Sequence, residues 1–178
     1  MDAYAPGAFA RSEEIAPAPE PALSPTDGRA FRQVLGRFAT GVTVVTCASA
    51  HGPIGMTVNS FSSLSLDPPL VMWSPAKSSR RYPSFSAAHR FAIHILRADQ
   101  QALSDAFMRA ADAFHETVWY EAADGLPLME GCLARFTCEQ VAEHDAGDHA
   151  LLIGRVTAME AGEGDPLLYY RGRYSQIG

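Results

Sequence analysis

The chain has 178 residues, enough for one domain with a sizeable core and too few for two comfortable ones. Hydrophobic residues make up 47% and charged residues 19%, a globular balance that excludes a disordered chain. A net charge of -6 and a pI near 5.4 exclude a protein that coats nucleic acid, because such proteins need a basic face to displace counterions.

Residues 1 to 28 are rich in Ala, Pro and Glu (EEIAPAPEPALSPTDG) and have little to bury, so a flexible N-terminal tail is expected ahead of a domain over 29–178. Phe31, Val34, Leu35 and Phe38 then fall at i, i+3, i+4 and i+7, which predicts an amphipathic helix capped by Thr26 or Asp27 and closed by Gly41. Strand signals follow. GVTVVTC is β-branched, Gly52 and Pro53 supply a turn, and Asp67, Pro68 and Pro69 force another before the short apolar run LVMW. FAIHIL predicts a further strand. Asp99 is the expected cap of a helix carrying Leu103, Ala106 and Phe107 on one side. CLARFTCEQV alternates, with Ala134, Phe136 and Cys138 facing one way. ALLIGRVTAM and LLYYRGRY complete the set. Six or more strands with few helices, and no strand–helix alternation, predict a mainly β protein, an antiparallel β-barrel with short flanking helices.

Several chemistries drop out. There is no GxGxxG fingerprint, no GxxxxGK[ST] loop and no GxSxG turn, so Rossmann, P-loop and serine-hydrolase sites find no support. Cys47, Cys132 and Cys138 have neither zinc nor redox spacing and read as buried, reduced thiols. His144 and His149 are not completed into a metal site by any carboxylate or thiol spacing. No apolar run approaches the roughly 20 residues of a membrane span. MDAYAPGAFARSEE lacks the pattern of a secretion signal, so a cytoplasmic protein without membrane contact is expected.

What remains is the stretch GMTVNSFSSLSLDPPLVMWSPAKSSRRYP, core-like in its apolar residues yet threaded with small hydroxyls and ending in a basic knot. A planar heteroaromatic ligand with a phosphate tail asks a pocket for small polar groups at the ring edge, hydroxyls along a polyol, and cationic donors for the phosphate. TVNSF offers the first. KSSRR, with Lys77 and two guanidinium forks ahead of Pro83 at a helix start, offers the last. Serines in turns and a solvated basic face fit the same residues. His149 stands between the turn residues Gly147 and Asp148 and an apolar strand, where the pockets of β-barrels open.

Taken together, FRQVLGRFATGVTVVT, GMTVNSFSSLSLDPPLV, FAIHIL followed by DQQALSDAF, GLPLMEGCLARFTC, AGDHALLIGRV and PLLYYRGRY resemble the flavin reductase-like family in order and spacing, from about residue 30 to 176. These are the NAD(P)H:flavin oxidoreductases of two-component monooxygenases. The resemblance implies an FMN-binding split β-barrel, antiparallel and Greek-key-like, working as a homodimer. It implies FMN as cofactor with FAD open, NADH or NADPH as hydride donor, and a flavin-dependent monooxygenase as recipient of the reduced flavin. It assigns Thr57, Val58, Asn59, Ser60, Phe61 and Ser63 to the flavin ring and ribityl chain. Lys77, Ser78, Ser79 and Arg80 fall to the phosphate, and His149 and Tyr174 to the nicotinamide. The alternative is a protein that holds its flavin tightly for electron transfer or storage, without reductase turnover.

Overall fold

The computed structural model describes residues 23–177, so most of the expected tail (1–28) lies outside the described residues. In chain order the elements are α1 (Gly28–Leu35), β1 (Thr40–Gly41), β2 (Thr43–Ser49), β3 (Gly52–Val58), β4 (Ser62–Leu66), β5 (Pro69–Trp73), α2 (Tyr82–Ala87) and β6 (Arg90–Ile95). After these come α3 (Gln101–Arg109), β7 (Trp119–Glu121), β8 (Pro127–Met129), β9 (Ala134–Ala146), β10 (His149–Ala161), β11 (Leu168–Tyr170) and β12 (Arg173–Ser175). Short 3-10 turns precede and follow α3.

Seven strands pair in the order β3-β2-β6-β9-β10-β5-β4, antiparallel throughout. The two edge strands, β3 and β4, are consecutive in sequence and are not paired with each other. Even so, Met56 of β3 shares one buried cluster with Val71 and Trp73 of β5, Phe91 and Ile93 of β6, and Leu152 of β10. The sheet is therefore curled around a single interior and left open at the β3/β4 seam, which is a split barrel. Trp73 fills its centre, with the Phe85 ring edge-on at 5.0 Å and the Phe91 ring at 6.0 Å. Gly154 passes this core so closely that a Cβ there would lie 2.4 Å from Phe91 Cζ and 2.8 Å from Cys138 Cβ. No larger residue fits without displacing the ring.

Strand β2 explains why nearly every residue of VTVVTC is buried. Val45 and Cys47 face the barrel interior. Val42 at its start and Val44 face a second cluster, built with Leu103, Ala106 and Phe107 of α3, Phe114 and Leu167. A strand covered on both faces reads as a continuous apolar run. On that outer side the polar groups are satisfied individually. Thr46 donates to the Pro127 carbonyl at 2.6 Å, and the buried His94 ring spans the Val44 carbonyl and the Met129 N–H. The small sheets β1-β11-β12 and β7-β8 lie outside the barrel.

Several local expectations change. Asp27 caps α1, accepting from the N–H groups of Arg29 and Ala30, but the helix ends at Leu35 with Gly36 as its cap, because Thr40–Gly41 is drawn into pairing with β11. Among the described residues, none covers its apolar face. Phe31, Val34, Leu35 and Phe38 are 51%, 53%, 55% and 77% exposed, and only Ala30 is buried. Asp99 does not cap α3. Its carboxylate pairs with Arg97, and Gln100 closes that turn by accepting from the Arg97 N–H. In β9, Arg135 and Thr137 are buried while Ala134 and Phe136, on the face expected to be apolar, are only half-buried; of that face Cys138 alone is fully buried. Cys47 and Cys138 are buried, and their thiols are pushed up to about 12 by that burial; Cys132 is only half-buried. Among the described residues no helix is long and apolar enough to cross a membrane.

Candidate functional site

The end of β3 forms one wall of a cavity of about 350 Å³, lined by Val42, Thr57, Val58 and Asn59. Met108 at the end of α3 and Tyr169, Gly172 and Tyr174 from the β11–β12 hairpin form the other. One buried residue organises both walls. Thr57 Oγ1 donates to the Ser104 carbonyl at 2.7 Å, and the Ser104 and Tyr174 hydroxyls lie 2.8 Å apart. Ser104 is fully buried on α3, so the strand, the helix and the C-terminal hairpin are fixed to each other at the cavity. The Tyr169 ring meets the Tyr174 ring edge-on at 5.6 Å, and burial raises the Tyr174 phenol above its ordinary pKa.

A second group of residues lies where β5 runs into α2. Ser60 Oγ donates to the Ser74 carbonyl at 3.1 Å and accepts from the Ser74 N–H at 3.0 Å, locking the end of β3 to the end of β5. The chain beyond Ser74 is pinned to the start of β10. Ala150 N–H donates to Pro75 at 3.1 Å, Ala76 forms a bridge with His149, and Lys77 N–H donates to Asp148 at 3.0 Å. The loop then turns tightly, the Ser79 N–H donating to Ala76 at 3.0 Å, and enters α2 with Pro83 in its first turn.

Within this loop the four polar residues differ. Lys77 is engaged by the Asp145 carboxylate and by the Gly147 carbonyl at 2.7 Å, and that contact holds the Asp145 carboxyl below its ordinary pKa. Ser79 Oγ accepts from the Arg81 N–H at 3.2 Å. Ser78 and Arg80 are exposed, and among the described residues neither side chain has a hydrogen-bond or ion-pair partner. The two guanidinium forks expected there reduce to one. Arg81 turns inward, donating to Gly55 at 3.1 Å, to Phe107, and to Met108 at 3.2 Å, where it serves the free carbonyls at the end of α3. Burial lowers its pKa from the ordinary arginine value.

Of the sequence-derived candidates, Thr57, Val58, Asn59 and Tyr174 share the cavity. Lys77, Ser78, Ser79, Arg80 and His149 share the loop, and Ser60 joins the two groups. His149 and Tyr174, grouped in the sequence reading, belong to different parts: His149 does not line the cavity and stands beside Lys77. Its Nδ1 lies 2.7 Å from Asp148 Oδ1, and this hydrogen bond holds the Asp148 carboxyl low. Phe61 packs its ring 5.8 Å from Phe136 on the barrel interior, and Ser63 is exposed on β4 opposite Val71. Sequence reasoning missed Ser104, Met108, Tyr169 and Gly172. The one available signal was a lone serine, Ser104, on the apolar face of the predicted α3.

The donor set of cavity and loop suits a flavin mononucleotide. The cavity is apolar-walled and within the size range of small-ligand pockets, and an unpaired guanidinium and hydroxyl stand on the loop reached through Ser60.

The profile of the family described as "Flavin reductase like domain" matches residues 35–178. FMN reductase (NADH) SmoA of Agrobacterium fabrum is 53% identical over 151 residues, covering 85% of this chain and 87% of that one. The flavin-dependent monooxygenase reductase subunit HsaB of Rhodococcus jostii is 40% identical over 153 residues, covering 85% and 78%. Among solved structures, the NADH:FAD oxidoreductase SgcE6 of Streptomyces globisporus superposes with a TM-score of 0.84 at 32% identity, covering 90% of this chain and 98% of that one.

Proposed function

The chain belongs to the flavin reductase-like family, and from that premise we propose that it is an NADH-dependent flavin reductase supplying reduced flavin to a monooxygenase. The observation that carries the reading is one continuous edge, running from the Thr57–Asn59 cavity through the Ser60–Ser74 lock to the exposed Ser78 and Arg80. Relatives named as an NADH-dependent FMN reductase and as a monooxygenase reductase subunit support it. When bound, flavin supplies the hydride-accepting ring, so the protein is left with binding, orientation and exclusion of water.

In this reading the main-chain N–H groups of Val58, Asn59 and Ser60 face the ring edge, where negative charge grows on reduction, and the apolar walls of the cavity keep water away. Thr57 and Ser60 act chiefly by fixing that backbone, since both hydroxyls are committed to protein partners. Ser63 continues the strand edge along the ribityl chain, and Phe61, packed on Phe136 from the barrel interior, backs that edge. Ser78, Ser79 and Arg80 receive the phosphate. Lys77, held by Asp145, shapes the loop and adds positive field. His149 and Tyr174 approach the nicotinamide from two sides. The test is oxidation of NADH and NADPH by the purified protein with FMN, FAD or riboflavin added. Turnover that requires added flavin is expected, and its absence with all three flavins would remove the reading.

The phosphate assignment is tested at Ser79. Ser79→Asp sets a carboxylate against the phosphate and is expected to weaken FMN more than tenfold, because each charge-assisted contact contributes about 1.5–3 kcal/mol. Riboflavin, lacking the phosphate, should bind almost as before. Equal losses for both ligands place the phosphate elsewhere.

The uncovered face of α1 supports a homodimer with two-fold symmetry. Phe31, Val34, Leu35 and Phe38 form an apolar surface that is more than half exposed among the described residues, and a second copy would cover it. Light scattering should give twice the 19.2 kDa chain mass at micromolar concentration; a fully active monomer would rule the dimer out.

A further inference from the structure

A second groove, of about 620 Å³, lies between α1 and the turn joining β11 to β12, and Gly172 lines both this groove and the Tyr174 cavity. Its walls carry Arg29, Arg32, Arg37 and Arg171, and among the described residues no acidic side chain lines it. We propose that this groove binds the pyrophosphate of a dinucleotide whose other half occupies the neighbouring cavity. The proposal rests on the flavin reductase reading for the identity of that other half.

Four guanidinium groups in one groove are unusual in a chain of net charge -6 that has only 14 Lys and Arg in all. Three arginines elsewhere are neutralised by acids, Arg90 by Asp124, Arg97 by Asp99 and Arg135 by Glu160, and Arg81 is spent on backbone carbonyls. Among the described residues none of the four groove arginines has an ion-pair partner. Unrelieved like charge in a concave surface focuses a positive field and draws in anions. The guanidinium fork matches pairs of phosphate oxygens in particular.

Two of the four placements also run against local preference. Arg29 stands in the first turn of α1, which carries no acidic residue, and there the helix dipole disfavours a cation. Arg171 is the only described non-glycine residue with positive φ, at 51°. It is the first of two central turn residues, with Gly172 at 77°. Two-residue hairpin turns of this hand favour Asn, Asp or Gly at that position, not a long cation. The turn is nonetheless tightly seated, since the Arg171 N–H donates to the Gly36 carbonyl at 2.9 Å and its guanidinium lies 5.3 Å over the Tyr170 ring. Local preference is overridden where function holds a residue in place. The shared wall at Gly172 gives the position its meaning, because a ligand with its ring in the cavity runs its phosphates into the arginines.

The distinguishing variant is Arg171→Asn, which suits the turn better than arginine while removing the charge; Arg32→Ala on α1 is the second. Titration calorimetry with ADP, which carries the pyrophosphate and lacks both flavin and nicotinamide, reads the groove without turnover. ADP affinity is expected to fall roughly ten- to a hundredfold in each variant, as loss of a charge-assisted contact requires. It should also weaken with salt in the wild type, while the melting temperature of Arg171→Asn does not drop. ADP binding unchanged in both variants, or adenosine binding the wild type as tightly as ADP, overturns the proposal. The source of the pyrophosphate then follows from two further measurements on the same variants. A raised KM for NADH, with reduced nicotinamide mononucleotide unaffected, assigns it to the hydride donor. Weakened FAD with unchanged FMN and NADH assigns it to the flavin, and then moves the flavin phosphate of FAD away from the Ser78–Arg80 loop. A wild type that binds ADP but oxidises no NADH with any flavin overturns the reductase reading and leaves the groove standing.

Discussion

His149→Ala is expected to lower kcat/KM for NADH-driven flavin reduction roughly ten- to a thousandfold while leaving the FMN dissociation constant nearly unchanged. The separation follows from how the residue is held. What His149 gives the phosphate loop is main chain: the bridge to Ala76, flanked by the Lys77 N–H to Asp148 and the Ala150 N–H to Pro75. All of that survives truncation to Ala. What is lost is an imidazole whose Nδ1 is occupied by Asp148, leaving Nε2 to meet a ligand. Loss of a positioning group costs rate without abolishing chemistry that belongs to the cofactor. If the ring only steadies the Asp148 turn, the variant should melt lower and its folded fraction should reduce flavin at the normal rate. Stopped-flow reduction of the FMN-loaded variant, set beside its melting curve, separates the two, and a normal rate at every NADH concentration removes His149 from the site.

The contrast between Arg80 and Arg81 marks where sequence reading stops. Side by side in KSSRR they are chemically identical. Which one faces solvent is decided by the end of α3, whose Phe107 and Met108 carbonyls lie some 26 residues further along the chain and need a donor. The same holds for Arg135, read as part of a polar strand face yet buried, because Met129, Tyr120 and Glu160 converge on it from three segments. By contrast, what depends on near neighbours was legible. A cap for α1 at Thr26 or Asp27 (it is Asp27), the strands at LVMW and FAIHIL, and the turn at Asp67–Pro68 all follow from local chemistry and pattern. The TVNS edge was visible as small polar residues on an apolar strand. Its closure by Ser104 and Tyr174 was not, since that contact joins residues 70 apart. The exposure of the α1 face was likewise invisible, because periodicity shows that a face is apolar but not what covers it.

The native state is expected to lose stability steeply as pH falls below about 6.5, with one buried residue supplying much of the slope. His94 is fully buried on β6, and burial lowers its pKa to about 3. Its Nδ1 lies 3.1 Å from the Val44 carbonyl, and its Nε2 accepts from the Met129 N–H at 3.0 Å, so the neutral ring carries its proton on Nδ1. Protonation would turn Nε2 into a donor facing a donor, beside the Arg135 guanidinium. In the unfolded chain the same ring titrates near its ordinary value of about 6.5. Between that value and about 3 the unfolded state therefore binds a proton that the native state does not, and stability falls with decreasing pH. The maximal slope is about 1.4 kcal/mol per pH unit, which brings the contribution of this one group to about 3 kcal/mol by pH 4. Above 6.5 the penalty is absent. Carboxylates that are paired in the native state add loss in the same direction, so the wild-type profile alone does not isolate the histidine. His94→Gln does: the amide does not titrate, and the variant should be less stable at pH 7.5, where the geometry of two buried hydrogen bonds is degraded, yet lose less on acidification. Urea midpoints measured for both proteins from pH 7.5 to 4 should converge as the pH falls. Parallel profiles would mean that His94 is protonated in the native state or that the unfolded ring does not titrate freely, and either result defeats the argument.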